Sequence, residues 1–287
     1  MKVLITGAGG FVGKSLSSFL KNDDQFQVIS LGRKDLDLLN LEDVSQVLSR
    51  ERPDVIVHCA VKGGNRFDVD TQDSMDQNIQ MYRNLKDQRS KFGYLINIGS
   101  GAEFDRRGSI RRANESLLFE KSPIDFYGKA KNAIARDVVT TDGFYNLRIF
   151  GCFGVFENEN RFLKTVFDKN LKSESIEIDQ DKEMDFVHVN DLASVVSFIS
   201  RNSSSKKLKK DMNVVYSEKV SLSKMVDLFI PDSERKSGVR ILSKSGLEYS
   251  GDSTNLDSLE IKNFSSSSLK TSLSMYYNEL KVQRGSN

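Results

Sequence analysis

A chain of 287 residues, 38% apolar and 29% charged, can bury a full core and is too polar for a membrane protein. Its formal net charge of +2 lacks the basic excess that nucleic-acid binding needs, and the run Lys206-Lys207-Leu208-Lys209-Lys210 after a Ser-rich stretch is expected to be a solvated loop. The opening Met1-Lys2-Val3-Leu4-Ile5-Thr6 is far short of a secretory leader and no later stretch approaches about 18 apolar residues, so a cytoplasmic protein is expected.

In chain order, β-branched runs at Lys2 to Thr6, Gln27 to Leu31, Asp54 to Cys59, Tyr94 to Ile98 and Phe144 to Ile149 predict strands. Between them, Phe11/Val12/Leu16/Phe19/Leu20, Val44/Val47/Leu48, Met75/Ile79/Tyr82/Leu85 and Ala130/Ala133/Ile134/Val138 follow the helical period. This alternation predicts an α/β fold, a Rossmann-type doubly wound parallel sheet covered by helices on both faces, with ligands beyond the carboxyl ends of the strands. Phe186 to Val189 and Leu192 to Ile199 look like one more strand and helix of the same sheet. Residues 1–150 plus about 183–211 would form the dinucleotide-binding unit. Residues 151–182 plus 212–287 would form a smaller C-terminal α/β lobe closing over the cleft. Cys59 and Cys152 stand in apolar segments without Cys-rich spacing, so they are expected as small buried hydrophobes, and neither a disulfide nor a metal site is expected.

Directly after the first strand, Thr6-Gly7-Ala8-Gly9-Gly10-Phe11-Val12-Gly13 places Gly7, Gly10 and Gly13 at three-residue spacing before a helix. Such glycines let a turn tighten and let the N–H groups of a helix start, here Phe11 and Val12, approach a pyrophosphate favoured by the helix dipole. A carboxylate after the second strand would bind a ribose 2'-hydroxyl, whereas an Arg accepts a 2'-phosphate. The segment after Leu31 reads Gly32-Arg33-Lys34, so Arg33 points to NADP, with NAD possible; the competing reading leaves Arg33 and Lys34 solvated.

Tyr127 and Lys131, four apart at a helix start, share a face. A phenol with a pKa near 10 is a poor acid at neutral pH unless a cation such as Lys131 stabilises its anion. Ser100, closing the fourth strand, could hold a substrate carbonyl against Tyr127.

The glycine loop, Ser100, the Tyr127-x-x-x-Lys131 pair and Asp185-Phe186-Val187-His188-Val189-Asn190-Asp191 resemble, in order, the extended short-chain dehydrogenase/reductase (NAD-dependent epimerase/dehydratase) family. The resemblance covers most of the chain, including Asn78, Leu147-Arg148-Ile149 and the segment near Leu269 to Leu280. It implies catalytic roles for Ser100, Tyr127 and Lys131, and cofactor contacts from Gly7, Gly10, Phe11, Val12, Gly13, Arg33, Asp37, Leu38, Ala60, Tyr127 and Lys131. His188 and Asp191 are expected to be structural, Asp191 as a helix cap.

Family dehydratases carry Asp-Glu after their Ser or Thr, where this chain has Gly101-Ala102, so dehydration is not expected. Arg33 to Asn40 and Ala60-Val61-Lys62-Gly63-Gly64 resemble GDP-fucose synthase-like nucleotide-sugar 4-keto reductases. In that branch epimerisation uses a Cys and a His, which Ala102 and Arg161 replace here; neither can shuttle a proton. Lys62, Ala102, Gly151 and Arg161 are the expected substrate contacts. Gly151 and Ile149 stand where many relatives have Asn and Pro, and Arg161 either binds a diphosphate oxygen or lies on an exposed helix.

The resemblance therefore implies an NADPH-dependent 4-keto reductase of a nucleotide-diphosphate sugar that does not epimerise. The alternatives are a 4-epimerase holding NAD and a non-catalytic dinucleotide-binding regulator. It also implies a homodimer through the helices around Met75 to Leu85 and Tyr127 to Val138, whose apolar residues occupy more than one side, although the smaller lobe could cover them instead.

Overall fold

The predicted strands form as β1 (Lys2–Thr6), β2 (Gln27–Leu31), β3 (Val55–His58) and β4 (Tyr94–Ser100), then β5 (Ile110–Ala113) intervenes before β6 (Phe144–Ile149). Helices α1 (Phe11–Lys21), α2 (Leu41–Glu51), α3 (Gln72–Asp87) and α4 (Phe126–Thr140) lie between them. The structure, a computed structural model, describes residues 1–64, 69–205, 208–261, 264 and 268–285; Lys206 and Lys207 of the basic run lie outside the described residues.

Three of these helices start on a side-chain cap. Asn40 accepts from the Glu42 and Asp43 N–H groups, Thr71 from Ser74, and Asp125 from Gly128. Helix α1 starts after Gly10 with no side-chain cap, leaving its first N–H groups for another acceptor.

The main sheet has six strands, all parallel, in the order β2-β1-β3-β4-β6-β10, where β10 is Asp211–Asn213. Period-two alternation divides each strand's apolar residues between two cores. Val3, Ile5, Val55, Val57, Ile96 and Ile98 face α1 and α6 (Val189–Asn202), while Leu4, Ile56 and Leu95 face α2, α3 and α4. The chain turns to opposite sides of β1 to make β2 and β3, which opens a crevice at the carboxyl end of β1.

Two expectations are corrected here. The segment from Phe186 does not join this sheet: β9 (Val187–His188) pairs with β7 (Cys152–Phe153), held by the Val187 N–H on the Gly151 carbonyl at 3.0 Å. The sixth strand is β10, which α6 delivers to the β6 edge. Its three residues, Asp-Met-Asn, include one apolar side chain and so carry no period, whereas the more apolar β9 segment satisfies its ladder elsewhere. His188, not Asp191, caps α6, its Nδ1 accepting the Asn190 N–H at 3.3 Å; the buried Asp191 instead accepts from Tyr216 and Ser272.

The rest of the chain adds α5 (Phe162–Leu171), β8 (Ile176–Ile178), α7 (Leu222–Phe229), β11 (Val239–Ile241), β12 (Tyr249–Gly251), α8 (Thr254–Asp257) and α9 (Leu269–Gln283). Two further parallel pairs form, β8 with β11 and β5 with β12. The second pair joins the segment between β4 and α4 to the last fifth of the chain. Phe153, Phe167, Phe229, Leu273 and Tyr276 of this region belong to the same apolar cluster as Val3 and Ile5, so core packing is continuous across it. Cys152 is buried as expected and Cys59 half-buried.

Candidate active site

The cofactor side is shaped by missing side chains. Gly7 has φ +66°, and a Cβ there would lie 2.6 Å from the Ala60 nitrogen, so the loops after β1 and β3 touch through bare backbone. A Cβ at Gly13 would lie 2.4 Å from the Gly7 carbonyl oxygen. The Gly10 N–H closes the turn on that carbonyl at 3.0 Å, while the position above Gly9 has nothing within 4 Å. An uncapped helix start beside open space is a cradle for a pyrophosphate, so the residues present fit a dinucleotide. Beneath it the Thr6 hydroxyl meets the buried His58 ring at 2.9 Å; burial, aided by the Lys131 charge, pushes His58 down to about 3 and keeps it neutral.

At the end of β2, Arg33 is exposed and makes no ion pair among the described residues. Close by, Asp35 Oδ2 accepts the Gly32 N–H at 2.9 Å, its carboxylate returned to the end of β2 by a turn rather than along the strand. Asp37 Oδ1 accepts the Leu39 N–H at 3.0 Å, and the Leu38 side chain is buried in the α2–α3 core.

Ser100, Tyr127 and Lys131 gather where β4 ends against the first turns of α4. Lys131 Nζ donates to the Ile98 carbonyl at 2.8 Å, and its charge reaches His58, Cys59 and Glu103. Tyr127 is half-buried, and Gly64, at φ +72°, lies on its ring: a Cβ at Gly64 would be 2.4 Å from the ring carbon Cε2. Ser100 starts a short 3-10 turn, its Oγ accepting the Ala102 N–H at 3.2 Å and its own N–H donating to Glu103 Oε1 at 2.7 Å.

Glu103 is a buried support that the sequence reading missed. Glu103 and Arg148 have no exposed surface, and Glu103 Oε2 accepts from Arg148 Nε at 2.6 Å and from Asn146 at 3.0 Å. Arg148 goes on to Asp211 and Asn213, both at 2.9 Å. Burial pushes the Glu103 carboxyl up against the opposing pull of Arg148. The local signal was present, since Ser100-Gly-Ala-Glu103 spells a capping box. Also missed were Tyr249, whose hydroxyl lies 2.7 Å from where a Cβ at Gly101 would stand, and Arg106, whose charge reaches Tyr127 and Tyr249 and which pairs with Asp125 at 2.8 Å.

The four expected substrate residues each have their own surroundings. Lys62 turns to α3, its Nζ 2.9 Å from Gln77 and 3.3 Å from Asp73. Ala102 is buried behind Ser100. Gly151 leaves room for Phe186, whose ring carbon Cδ1 a Cβ would meet at 2.7 Å, so the Asn of relatives has no space here. Arg161 precedes α5 with Nε 3.8 Å from the buried Glu157.

A doubly wound sheet with a glycine cradle facing a Ser, Tyr and Lys set defines an NAD(P)-dependent oxidoreductase. The chain belongs to the NAD dependent epimerase/dehydratase family, whose model matches residues 3–214, and that family uses NAD or NADP. GDP-L-colitose synthase of Yersinia pseudotuberculosis is 25% identical over 228 residues, covering 70% of this chain and 73% of that protein. Methionine adenosyltransferase 2 subunit beta of Danio rerio is 28% identical over 207 residues, 68% of this chain and 62% of that one. The GDP-mannoheptose C4 reductase of Campylobacter jejuni, solved with NADP bound, superposes with a TM-score of 0.79 at 20% identity, covering 98% of each chain. Relatives of this kind place the chain among nucleotide-sugar reductase- and epimerase-like proteins. No described helix is long and apolar enough to cross a membrane.

Proposed function

We propose that the protein is a cytoplasmic NADPH-dependent reductase of the C4 ketone in a nucleotide-linked 4-keto-6-deoxy sugar, acting without epimerisation. The observation that carries this reading is the gathering of Ser100, Tyr127 and Lys131 at the end of β4, beside the glycine cradle. Bound NADPH supplies hydride. Ser100 donates a hydrogen bond to the ketone oxygen, Tyr127 gives that oxygen its proton, and Lys131 stabilises the phenolate left behind. Ala102 has no proton to move and the Arg161 guanidinium keeps its own, which supports reduction without inversion of ring carbons. Arg161, half-exposed at the start of α5, is the diphosphate contact of this reading.

The test offers GDP- and dTDP-linked 4-keto-6-deoxy sugars and follows loss of NADPH absorbance. Tyr127→Phe should lower turnover by about 100-fold or more at unchanged NADPH affinity. A variant that keeps most of its turnover would sink the mechanism.

A second reading, a 4-epimerase that retains NAD, is favoured by Asp35 at the end of β2, where a carboxylate suits a ribose hydroxyl. Against it, Asp35 is already committed to its own turn, and Arg33 is exposed beside it. Arg33→Asp should weaken NADPH far more than NADH. Equal affinity for the two cofactors before and after the change, with nicotinamide co-purifying and no net NADPH use, would favour the epimerase.

The homodimer is proposed on less. Tyr82, Leu85, Ala130, Ile134 and Val138 are buried within the chain, which leaves Ala133 exposed and Met75, Ile79, Met81 and Val139 part-buried for an interface. Sedimentation at micromolar concentration decides between monomer and dimer.

A further inference from the structure

We propose that Asp70 is a positioning residue for Tyr127: it clasps the loop after β3 so that the bare backbone of Gly64 backs the phenol ring. The inference rests on the reductase reading above, in which Tyr127 supplies the proton.

The loop is built for close approach by two missing side chains. Gly63 and Gly64 both have left-handed backbone, at φ +78° and +72°. A Cβ at Gly63 would lie 2.1 Å from Asp70 Oδ1, so glycine there admits the carboxylate, whose Oδ1 accepts the Gly64 N–H at 2.9 Å. A Cβ at Gly64 would meet three carbons of the Tyr127 ring, Cε2 at 2.4 Å, Cζ at 2.8 Å and Cδ2 at 2.9 Å. The ring therefore lies on main chain, which has no rotamers through which to yield.

What holds this wall is α3. Asp70 immediately precedes its cap, Thr71, and in its second turn the buried Asn78 accepts the Lys62 N–H and donates to the Lys62 carbonyl, both at 2.8 Å, as a neighbouring strand would. The Lys62 side chain ends on α3 as well, at Asp73 and Gln77. Helix α3 is tied in turn to the helix that carries Tyr127, through Lys86 on Asp137 at 2.7 Å and the Tyr82 hydroxyl on the same carboxylate. Loop and phenol are thus both registered to the α3–α4 pair, and the Asp70 bond is the one made to the residue that touches the ring. Tyr127 is half-buried in the first turn of α4, where a phenol without this backing could swing about its own side-chain torsions. Proton transfer needs the acid within hydrogen-bond reach of the ketone oxygen, and a misplacement of about 1 Å costs about 100-fold. A ring backed by Gly64 is in place before the sugar arrives.

The test measures kcat, KM and NADPH affinity with the two keto sugars. Asp70→Ala removes the acceptor and should lower kcat about 10-fold, with KM and NADPH affinity within about twofold of wild type. Asp70→Asn keeps an Oδ1 acceptor and should return kcat to within about threefold of wild type. Gly64→Ala drives a methyl group at the ring and should cost about 100-fold in kcat. In the Tyr127→Phe background Asp70→Ala should cost nothing further, because the hydroxyl that it places is gone. Losses that multiply in that background would overturn the role, as would full turnover in Asp70→Ala or in Gly64→Ala. An Asp70→Asn as slow as Asp70→Ala would overturn it too, since the charge and not the bond would then matter, and so would weaker NADPH binding at unchanged kcat, since the loop would then serve the cofactor. A wild type inactive on both sugars removes the reductase reading and this role together, whereas an active wild type beside an unimpaired Asp70→Ala removes the role alone.

Discussion

At the glycine loop the walls are backbone, and a methyl group at Gly7 or Gly13 would strike the main chain of Ala60 or Gly7 within 2.6 Å. Behind Ser100 the walls are charged side chains, with Glu103 and Arg148 at zero exposure and Asp211 joined to them at 2.9 Å. The first wall is specified by absence at neighbouring positions, and a change there acts through geometry. The second is specified by complementarity between positions far apart, and a change there leaves a partner charged and unsolvated. Each wall should therefore fail in its own way.

The largest effect is expected from Arg148→Met. It leaves Glu103 and Asp211 facing each other without their cation, and breaking a buried pair in this way costs about 3 to 5 kcal/mol. Urea unfolding should show that loss while the folded variant still binds NADPH normally; a cost below about 1 kcal/mol would mean that the network is not the support described. Gly13→Ala should do the reverse. Its Cβ, 2.4 Å from the Gly7 carbonyl, forces the cradle open. NADPH affinity should fall about 100-fold, the scale of a misplacement of about 1 Å, with a smaller loss of stability. Unchanged affinity in a titration of this variant would dissolve the contrast.

The smallest effect comes from a buried carboxyl without a close guanidinium. Glu157 has Arg161 at 3.8 Å and a hydrogen bond from Tyr276 at 2.7 Å, and burial pushes it up to about 7 from an ordinary 4.5. The folded chain then holds this proton more tightly than the unfolded chain, so stability falls as pH rises from about 4.5 and levels off above about 7. The share owed to Glu157 is on the order of 1 to 3 kcal/mol, and Glu157→Gln should remove it from unfolding midpoints measured at the two ends of that window. An unaltered slope would show that Glu157 is ionised throughout.

The same contrast governs what could be read from the sequence. Lys2–Thr6, the glycine triplet and α1 are contiguous, and each reports a local rule, so the strand, the turn and the helix start were legible together. Tyr127 and Lys131 were legible because one helix places them four apart. β10 was not, because a three-residue strand with one apolar side chain has no period, and its place depends on the edge that β6 leaves open. Asp35 was passed over because a turn, not strand register, returns its carboxylate to Gly32. Tyr249 had no local sign at all: its hydroxyl comes to Gly101 only because that position is empty and a strand pairing closes a long loop.

That pairing of β5 with β12 has a consequence for synthesis on the ribosome. The chain has made β1, α1, β3, Ser100, Tyr127 and Lys131 by the end of α4 at Thr140, and the cradle needs nothing later than Ala60. The partner strand that brings the Tyr249 phenol beside Gly101 emerges only at Tyr249 to Gly251, and β10, which supplies Asp211 to the buried Arg148, only at Asp211 to Asn213. Loops this long close late and slowly, because their entropy is lost before their contacts form. A nascent chain can thus shape its dinucleotide cradle well before the serine is fixed, and the order of translation separates cofactor capture from the competence to use it.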